Sequence, residues 1–511
     1  MKTLPEAHKK PRIQSPIELK EALTAKRFTF GLIIMAVITV LLTVYLLVAD
    51  SNKLIVGFLI ILLMMALMLF KIPIGFAMSG AGIFGLYLLV GPNAVTGSLK
   101  EVVFTSFASW SLSVIPMFVL MGVAMGKSGL MSGAYDVARK WMSRLPGGLA
   151  IATNYAGAGM AATSGSTIGI AYAIGRVSIP EMIRSGYSPA LAMGTTGMAG
   201  TLGQVIPPSI LLVIYAGVAE TPVGPQLLAG IIPGITLAVL FSLVIIIWAA
   251  VSPSSAPRGT SYPWKERVAS LVGLVPMLVI TVVVLGGIYL GIFTATEAGA
   301  YGALVTIILG LALVISRSRK DLKSAKTTVP TRRIVGAYFS ATLIETVSAV
   351  AAIMLLIVGV NLLTRVMALS GLAKWVANGV LDLGLDKLGF LLLLIPVYLV
   401  LGFFLDTLAM MLLTIPVFMG PLVALDVDLI WFGVFLIVLA EIDMVAPPLG
   451  VMNFVVLAIA QSSTKGMGLK LKITDTFKGV MPFIAACILM LVVLIMWPDF
   501  ALWLPGLSSA K

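Results

Sequence analysis

Four short stretches of this 511-residue chain carry oxygen atoms suited to ion chemistry in an otherwise apolar sequence. Ser164, Gly165, Ser166 and Thr167 set three hydroxyls around a glycine, while Asp406 and Thr407 offer a carboxyl and a hydroxyl. The pairs Pro207-Pro208 and Pro447-Pro448 each remove two backbone donors, so a helix cannot run through either place unbroken. Thr201 and Ser209 flank the first pair, and Ala446 precedes the second. Unwound backbone at membrane depth is tolerated where it lines a cavity or is buried in protein. Its freed carbonyls, with nearby hydroxyls, are the ligands a hard cation such as sodium takes.

The remaining ionisable residues leave alternatives open. Asp406 at mid-depth either ligates a cation or is a protonated carboxyl tying its hairpin to a neighbour. Glu441 and Asp443, one turn before Pro447, either reach the same cavity or pair with Arg365 or Lys374. Arg365 is either a snorkelling anchor or a substrate contact, with Ser166, Thr407, Glu441 and Asp443 as the other weak substrate candidates. Glu297 caps the helix it opens or serves the site, and Glu345 is left open in the same way, as a residue of a polar helix face that either has a functional role or has none.

The spacing of these stretches reveals the elements that hold them. Ser128-Gly129-Leu130 returns as Ser370-Gly371-Leu372, 242 residues later; Gly165 faces Asp406 at 241, and Pro207 faces Pro447 at 240. Ile179-Pro180 and Ile415-Pro416 form a looser fourth pair. Breaks at matching places in two halves of an apolar chain point to a duplicated transporter.

Composition fixes the solvent. Hydrophobic residues are 59% and charged residues 11%, against about 45–50% and about 25% in soluble domains. Runs such as 28–48, 225–250, 268–293 and 479–497 reach the ~20 residues that span a ~30 Å core. The net charge of +13 sits in a few loops, which suits positive-inside bias and not nucleic acid. A lone Cys487 excludes an intrachain disulfide, and a lone His8 in the basic leader excludes intramembrane histidine relays. No P-loop motif supports ATP hydrolysis.

Basic segments at 139–144, 176–184, 258–267, 317–333 and 465–478 define one face, taken as cytoplasmic. Residues 1–27 form a basic cytoplasmic leader and 28–50 an extra, uncleaved transmembrane helix. The first repeat covers 51–250, with a re-entrant hairpin at about 147–175 of roughly 14 residues per arm and a broken helix at 207–208. Residues 251–335 hold connecting spans and a basic loop, with spans from about 268 opening the second repeat. Residues 336–511 complete it, with a hairpin at about 386–414 and a broken helix at 447–448. The second hairpin has lysine-poor flanks and enters from the opposite face, so the repeats are inverted. The expected fold is an all-α polytopic membrane protein of the elevator type, with roughly eleven spans, two hairpins and a periplasmic C-terminus.

The motifs SVIPMFVLMG (113–122), RLPGGLAIA (144–152), SGSTIGIAYAIGRVSIPEM (164–182), GTLGQVIPPSI (200–210), IFTATEAGA (292–300), GFFLDTLAMMLLTIPVF (402–418) and APPLG (446–450) share one pattern. Over about 54–500 the chain resembles the large membrane subunit of tripartite ATP-independent periplasmic (TRAP) transporters of DctM type. The resemblance implies uptake of a small organic anion on a sodium gradient, with no cofactor. It implies two partners within the lipid bilayer system: a small four-helix membrane subunit and a periplasmic substrate-binding protein. It places Ser164–Ser166 with the Pro207-Pro208 helix at one sodium region, and Asp406 and Thr407 with the Pro447-Pro448 helix at a second. Three positions depart from the family: Ala446 stands for a threonine, Asp443 for a glycine, and Ala295 for the proline of Thr-Pro-Thr-Glu. The leader and first helix resemble the joining helix of fused versions.

Other functions predict other features. A stand-alone sodium/dicarboxylate symporter shares the hairpins but needs no binding protein. A channel needs no matched breaks, and an intramembrane enzyme would have to work with carboxylates alone.

Overall fold

The computed structural model describes residue 45 and residues 52–509, apart from 71, 131, 165–166, 260, 325–328, 403–404 and 406. Residues 1–44 and 46–51, and with them the leader and most of the extra helix, lie outside the described residues. Among the described residues every regular element is helical. Six helices are long and apolar enough to cross a bilayer, or up to eight if each sharply bent pair counts as one span. That is fewer than the eleven counted from hydropathy. Helices such as Ile74–Val90 and Val451–Ser463 are apolar but too short by themselves.

The duplication is a property of the helices. The first hairpin has arms Gly148–Ser164 and Thr167–Arg184, followed by a broken helix of Pro189–Val205 and Ile210–Val218. The second hairpin has arms Lys387–Leu401 and Thr407–Ala424, followed by Leu429–Val445 and Val451–Ser463. Both ends of Thr167–Arg184 and of Pro189–Val205 map onto Thr407–Ala424 and Leu429–Val445 by 240 residues. The returning arms run to Arg184 and Ala424, about ten residues past the ends drawn from sequence. Arg176 does not stop the first, because its guanidinium lies over the Tyr172 ring at 5.3 Å on the same helix face.

Capping chemistry begins the broken helices alike. Ser188 accepts a hydrogen bond from Leu191 N at 3.3 Å, and Asp428 accepts one from Trp431 N at 2.9 Å. Each side chain satisfies an amide that the first helical turn leaves without a partner.

Packing interleaves the halves. Both arms of the first hairpin pack on Pro189–Val205, and Val451–Ser463 of the other repeat packs on its returning arm. Reciprocally, Ile210–Val218 touches Thr407–Ala424. Helix Ile473–Met496 lies against Pro189–Val205 and Leu429–Val445. Gly194 and Gly479 set the first of these spacings: a Cβ on either would overlap the backbone of the other helix. Outside this group, the 40-residue helix Thr331–Ser370 runs along Ile74–Val90, and Ala295–Lys323 runs along Val114–Ser128. These four form a frame beside the hairpins.

Candidate functional site

The two breaks are stabilised differently. At the first, residues 201–209 are all buried. Ser209 caps the following segment, accepting from Leu212 N at 3.3 Å and donating to the Gln204 carbonyl. Pro207-Pro208 and Pro447-Pro448 are both cis. The second break has no hydroxyl at Ala446; instead the fully buried Asn453 reaches back and donates to the Val445 carbonyl at 2.7 Å. Pro448 and Leu449 are exposed, so this break is the more open one.

Between the breaks and the residues flanking both hairpin turns is a cavity of 390 Å³. The first half contributes Thr167, Ile168, Gln204, Ile210 and Leu211; the second contributes Gly402, Leu405, Thr407, Asp443 and Met444. Thr407 is 5% exposed, and its hydroxyl has no hydrogen-bond partner among the described residues. A buried hydroxyl left unpaired carries a desolvation cost that a ligand can relieve. Gln204 Oε1 is in the same condition, while its Nε2 approaches Met444 Sδ at 2.8 Å. Asp443, 4% exposed, lays its carboxyl against Gly402 so closely that a Cβ there would overlap it.

Glu441 points elsewhere. It is fully buried with no hydrogen-bond partner among the described residues, near the Thr201 hydroxyl and the Cys487 thiol. Thr201 itself donates to the Met198 carbonyl at 2.9 Å. Gln204 and Met444 are 240 residues apart, and so are Thr201 and Glu441. Each pair brings together equivalent residues, so the pseudo-twofold axis passes between the two broken helices beside the cavity.

The structure thus gathers Thr167, Thr407 and Asp443 on one cavity, and residues on both sides of each break (Gln204 and Ile210, Met444 and Val451) line it as well, whereas Pro207, Pro208, Ser209, Ala446, Pro447 and Pro448 within the breaks are not on its wall. Ser164 closes the outgoing arm, whereas Gly165, Ser166 and Asp406 lie outside the described residues. Arg365 is not on the cavity wall. It pairs with Glu101 at 3.0 Å and reaches Ser98 at 3.4 Å, not Glu441 or Asp443. The hydrogen bond that Arg365 donates to it, and then the guanidinium charge, hold the Glu101 carboxyl below its ordinary range. Glu345 pairs with Lys127. Glu297 closes a capping box with Thr294, accepting from Thr294 N at 2.8 Å. Sequence reasoning missed Gln204, Asn453 and Gly402. The first two were visible as lone amides in apolar runs, whereas Gly402 had no signal before its neighbour was known.

Comparison with known proteins agrees with this architecture. The family model of the tripartite ATP-independent periplasmic transporter, DctM component, matches residues 61–500. The chain is 32% identical over 419 residues to the C4-dicarboxylate TRAP transporter large permease protein DctM of Pseudomonas aeruginosa, covering 82% of this chain and 91% of that one. It is 29% identical over 455 residues to the protein of the same description from Vibrio cholerae, covering 88% and 97%. In fold it is similar to the crystal structure of the Alcanivorax borkumensis YdaH transporter, with a TM-score of 0.58, 18% identity and coverage of 81% and 90%.

Proposed function

This chain belongs to the DctM component family of tripartite ATP-independent periplasmic transporters, and we propose that it imports a small organic carboxylate on a sodium gradient. The observation that carries this reading is the cavity that residues flanking both hairpin turns and both broken helices share. Relatives described as C4-dicarboxylate permeases make a four-carbon dicarboxylate the first substrate to try.

In this reading the chain lies in the bacterial inner membrane, with its N-terminus cytoplasmic and its C-terminus periplasmic. A periplasmic binding protein delivers the substrate, and a small four-helix subunit braces the frame helices. Sodium takes oxygens from Ser164, Ser166 and Thr167 with carbonyls at the Pro207-Pro208 break, and from Asp406 and Thr407 with carbonyls at the Pro447-Pro448 break. Helix N-termini at the hairpin turns and breaks face the substrate carboxylate with their positive dipole ends. Sodium and substrate each bind more tightly with the other present, a reciprocal coupling of ~1–3 kcal/mol. The hairpins and broken helices then move as a unit past the frame.

The experiment is uptake of labelled succinate by proteoliposomes holding the large and small subunits, with binding protein outside. Uptake is expected to need inward sodium, to ignore ATP and to vanish without the binding protein. Equal uptake by the large subunit alone would replace this reading with a stand-alone symporter.

A further inference from the structure

A second cavity, of 700 Å³, takes no part in the scheme above. It separates Val123 and Gly126 of Val114–Ser128 and Ile353 of the long frame helix from Tyr172 and Val177 of the first hairpin. Ile210 lines both cavities, so this space and the hairpin-turn cavity adjoin at that residue. Its charged lining residues are Lys127 and Glu345, 2.5 Å apart, with side chains 40% and 54% exposed. An ion pair that exposed contributes little to stability. Placing two charges on an otherwise apolar wall therefore calls for a use other than holding the frame together.

The repeat supplies a second, independent observation. The 242-residue shift from Ser128 to Ser370 carries Lys127 to Leu369, one helical turn from Arg365. The same shift carries Glu101 to residue 343, two residues from Glu345. The repeat thus relates two cation–carboxylate pairs, Lys127–Glu345 and Arg365–Glu101, each joining one half to the other with the cation and the carboxylate exchanged between halves. Because the repeats are inverted, the pairs lie toward opposite faces.

We propose that Lys127 is an anion-binding site on the path between the hairpin-turn cavity and bulk water, where a small carboxylate displaces Glu345. The inference rests on the transport reading for its purpose, but not for its test. An anion leaving an apolar passage keeps a counter-charge at Lys127, and Glu345 closes over the ammonium once the anion departs. An exchangeable partner keeps the site weak enough to release what it binds.

The test needs no transport. The large and small subunits in nanodiscs are treated with a limiting amine-acylating reagent, with succinate or with sodium chloride at equal ionic strength. Peptide mass spectrometry then reads acylation at each lysine. Succinate is expected to slow acylation of Lys127 by roughly threefold, the scale of one exposed ion pair, while the exposed loop residues Lys465 and Lys470 are unaffected. Glu345→Gln removes the competitor and is expected to deepen the protection; Glu345→Asp, which keeps the charge, leaves it near the native level. Equal protection at the three lysines, or protection indifferent to Glu345→Gln, overturns the proposal. Missing sodium-driven uptake would instead count against the transport reading alone.

Discussion

Gly402 and Asp443 make the sharpest residue-level case, because each explains the other. Gly402 has ordinary right-handed helical backbone, with φ −68° and ψ −13°. An alanine there meets no conformational penalty; the three atoms nearest its methyl all belong to the Asp443 carboxyl. Gly402→Ala is therefore expected to push the second hairpin turn from its seat and cut uptake at least several-fold, with membrane insertion normal. Gly402→Ala combined with Asp443→Gly removes the overlap and is expected to restore most of the loss. If the double variant is no better than the single one, the carboxyl is not what the glycine accommodates. The sequence made Asp443 legible as a carboxylate beside the break, and left open whether it met the cavity or a cation. It is on the cavity wall, and Arg365 is occupied by Glu101. Such pairings were illegible because they join helices far apart in the chain, and charge alone does not choose among partners.

At the scale of elements, close helix approach is the feature most sensitive to substitution. Gly194 and Gly479 let Pro189–Val205 and Ile473–Met496 meet backbone to backbone. Gly479→Ala would drive a methyl into the Ala190 carbonyl, and overpacking of this kind costs about 1–3 kcal/mol. The expected result is a lower unfolding temperature for the purified two-subunit complex; an unchanged midpoint would refute the contact. Asn453→Ala at the second break leaves the Val445 carbonyl without its donor, a loss of about 1–3 kcal/mol. Thermal unfolding checks this too, and Asn453→Leu, which keeps the size but has no donor, should not rescue it. The breaks themselves were readable, because paired prolines end helices for a reason internal to the sequence. The returning arm of the first hairpin was drawn about ten residues short because Arg176 was taken as a boundary, and the second, drawn as its counterpart, inherited the error. An arginine can lie along a helix face on a tyrosine ring, and charge alone did not reveal that.

The repeat was the most legible property of the whole molecule, since a constant shift survives divergence that erases most identities. Its consequence in space was less so: each repeat's broken helix packs on the other's hairpin, and no local pattern encodes that exchange. The same arrangement predicts how the molecule moves. Tyr172 and Val177 of the first hairpin face Val123 and Ile353 of the frame across 700 Å³, whereas Val451–Ser463 packs directly on that hairpin. If hairpins and broken helices travel together past the frame, the distance across this gap changes each cycle while distances within the frame do not. Cysteines at Val123 and Val177, joined by a cleavable bis-maleimide, should therefore stop succinate uptake, and cleaving the linker should restore it. Cysteines at Gly126 and Ala349, both on frame helices lining the same cavity, should tolerate the linker. Native Cys487 is fully buried and adds little background. Uptake that persists with the Val123–Val177 bridge intact would mean that the hairpin does not move against the frame, and a fixed pore would then describe the molecule better than an elevator.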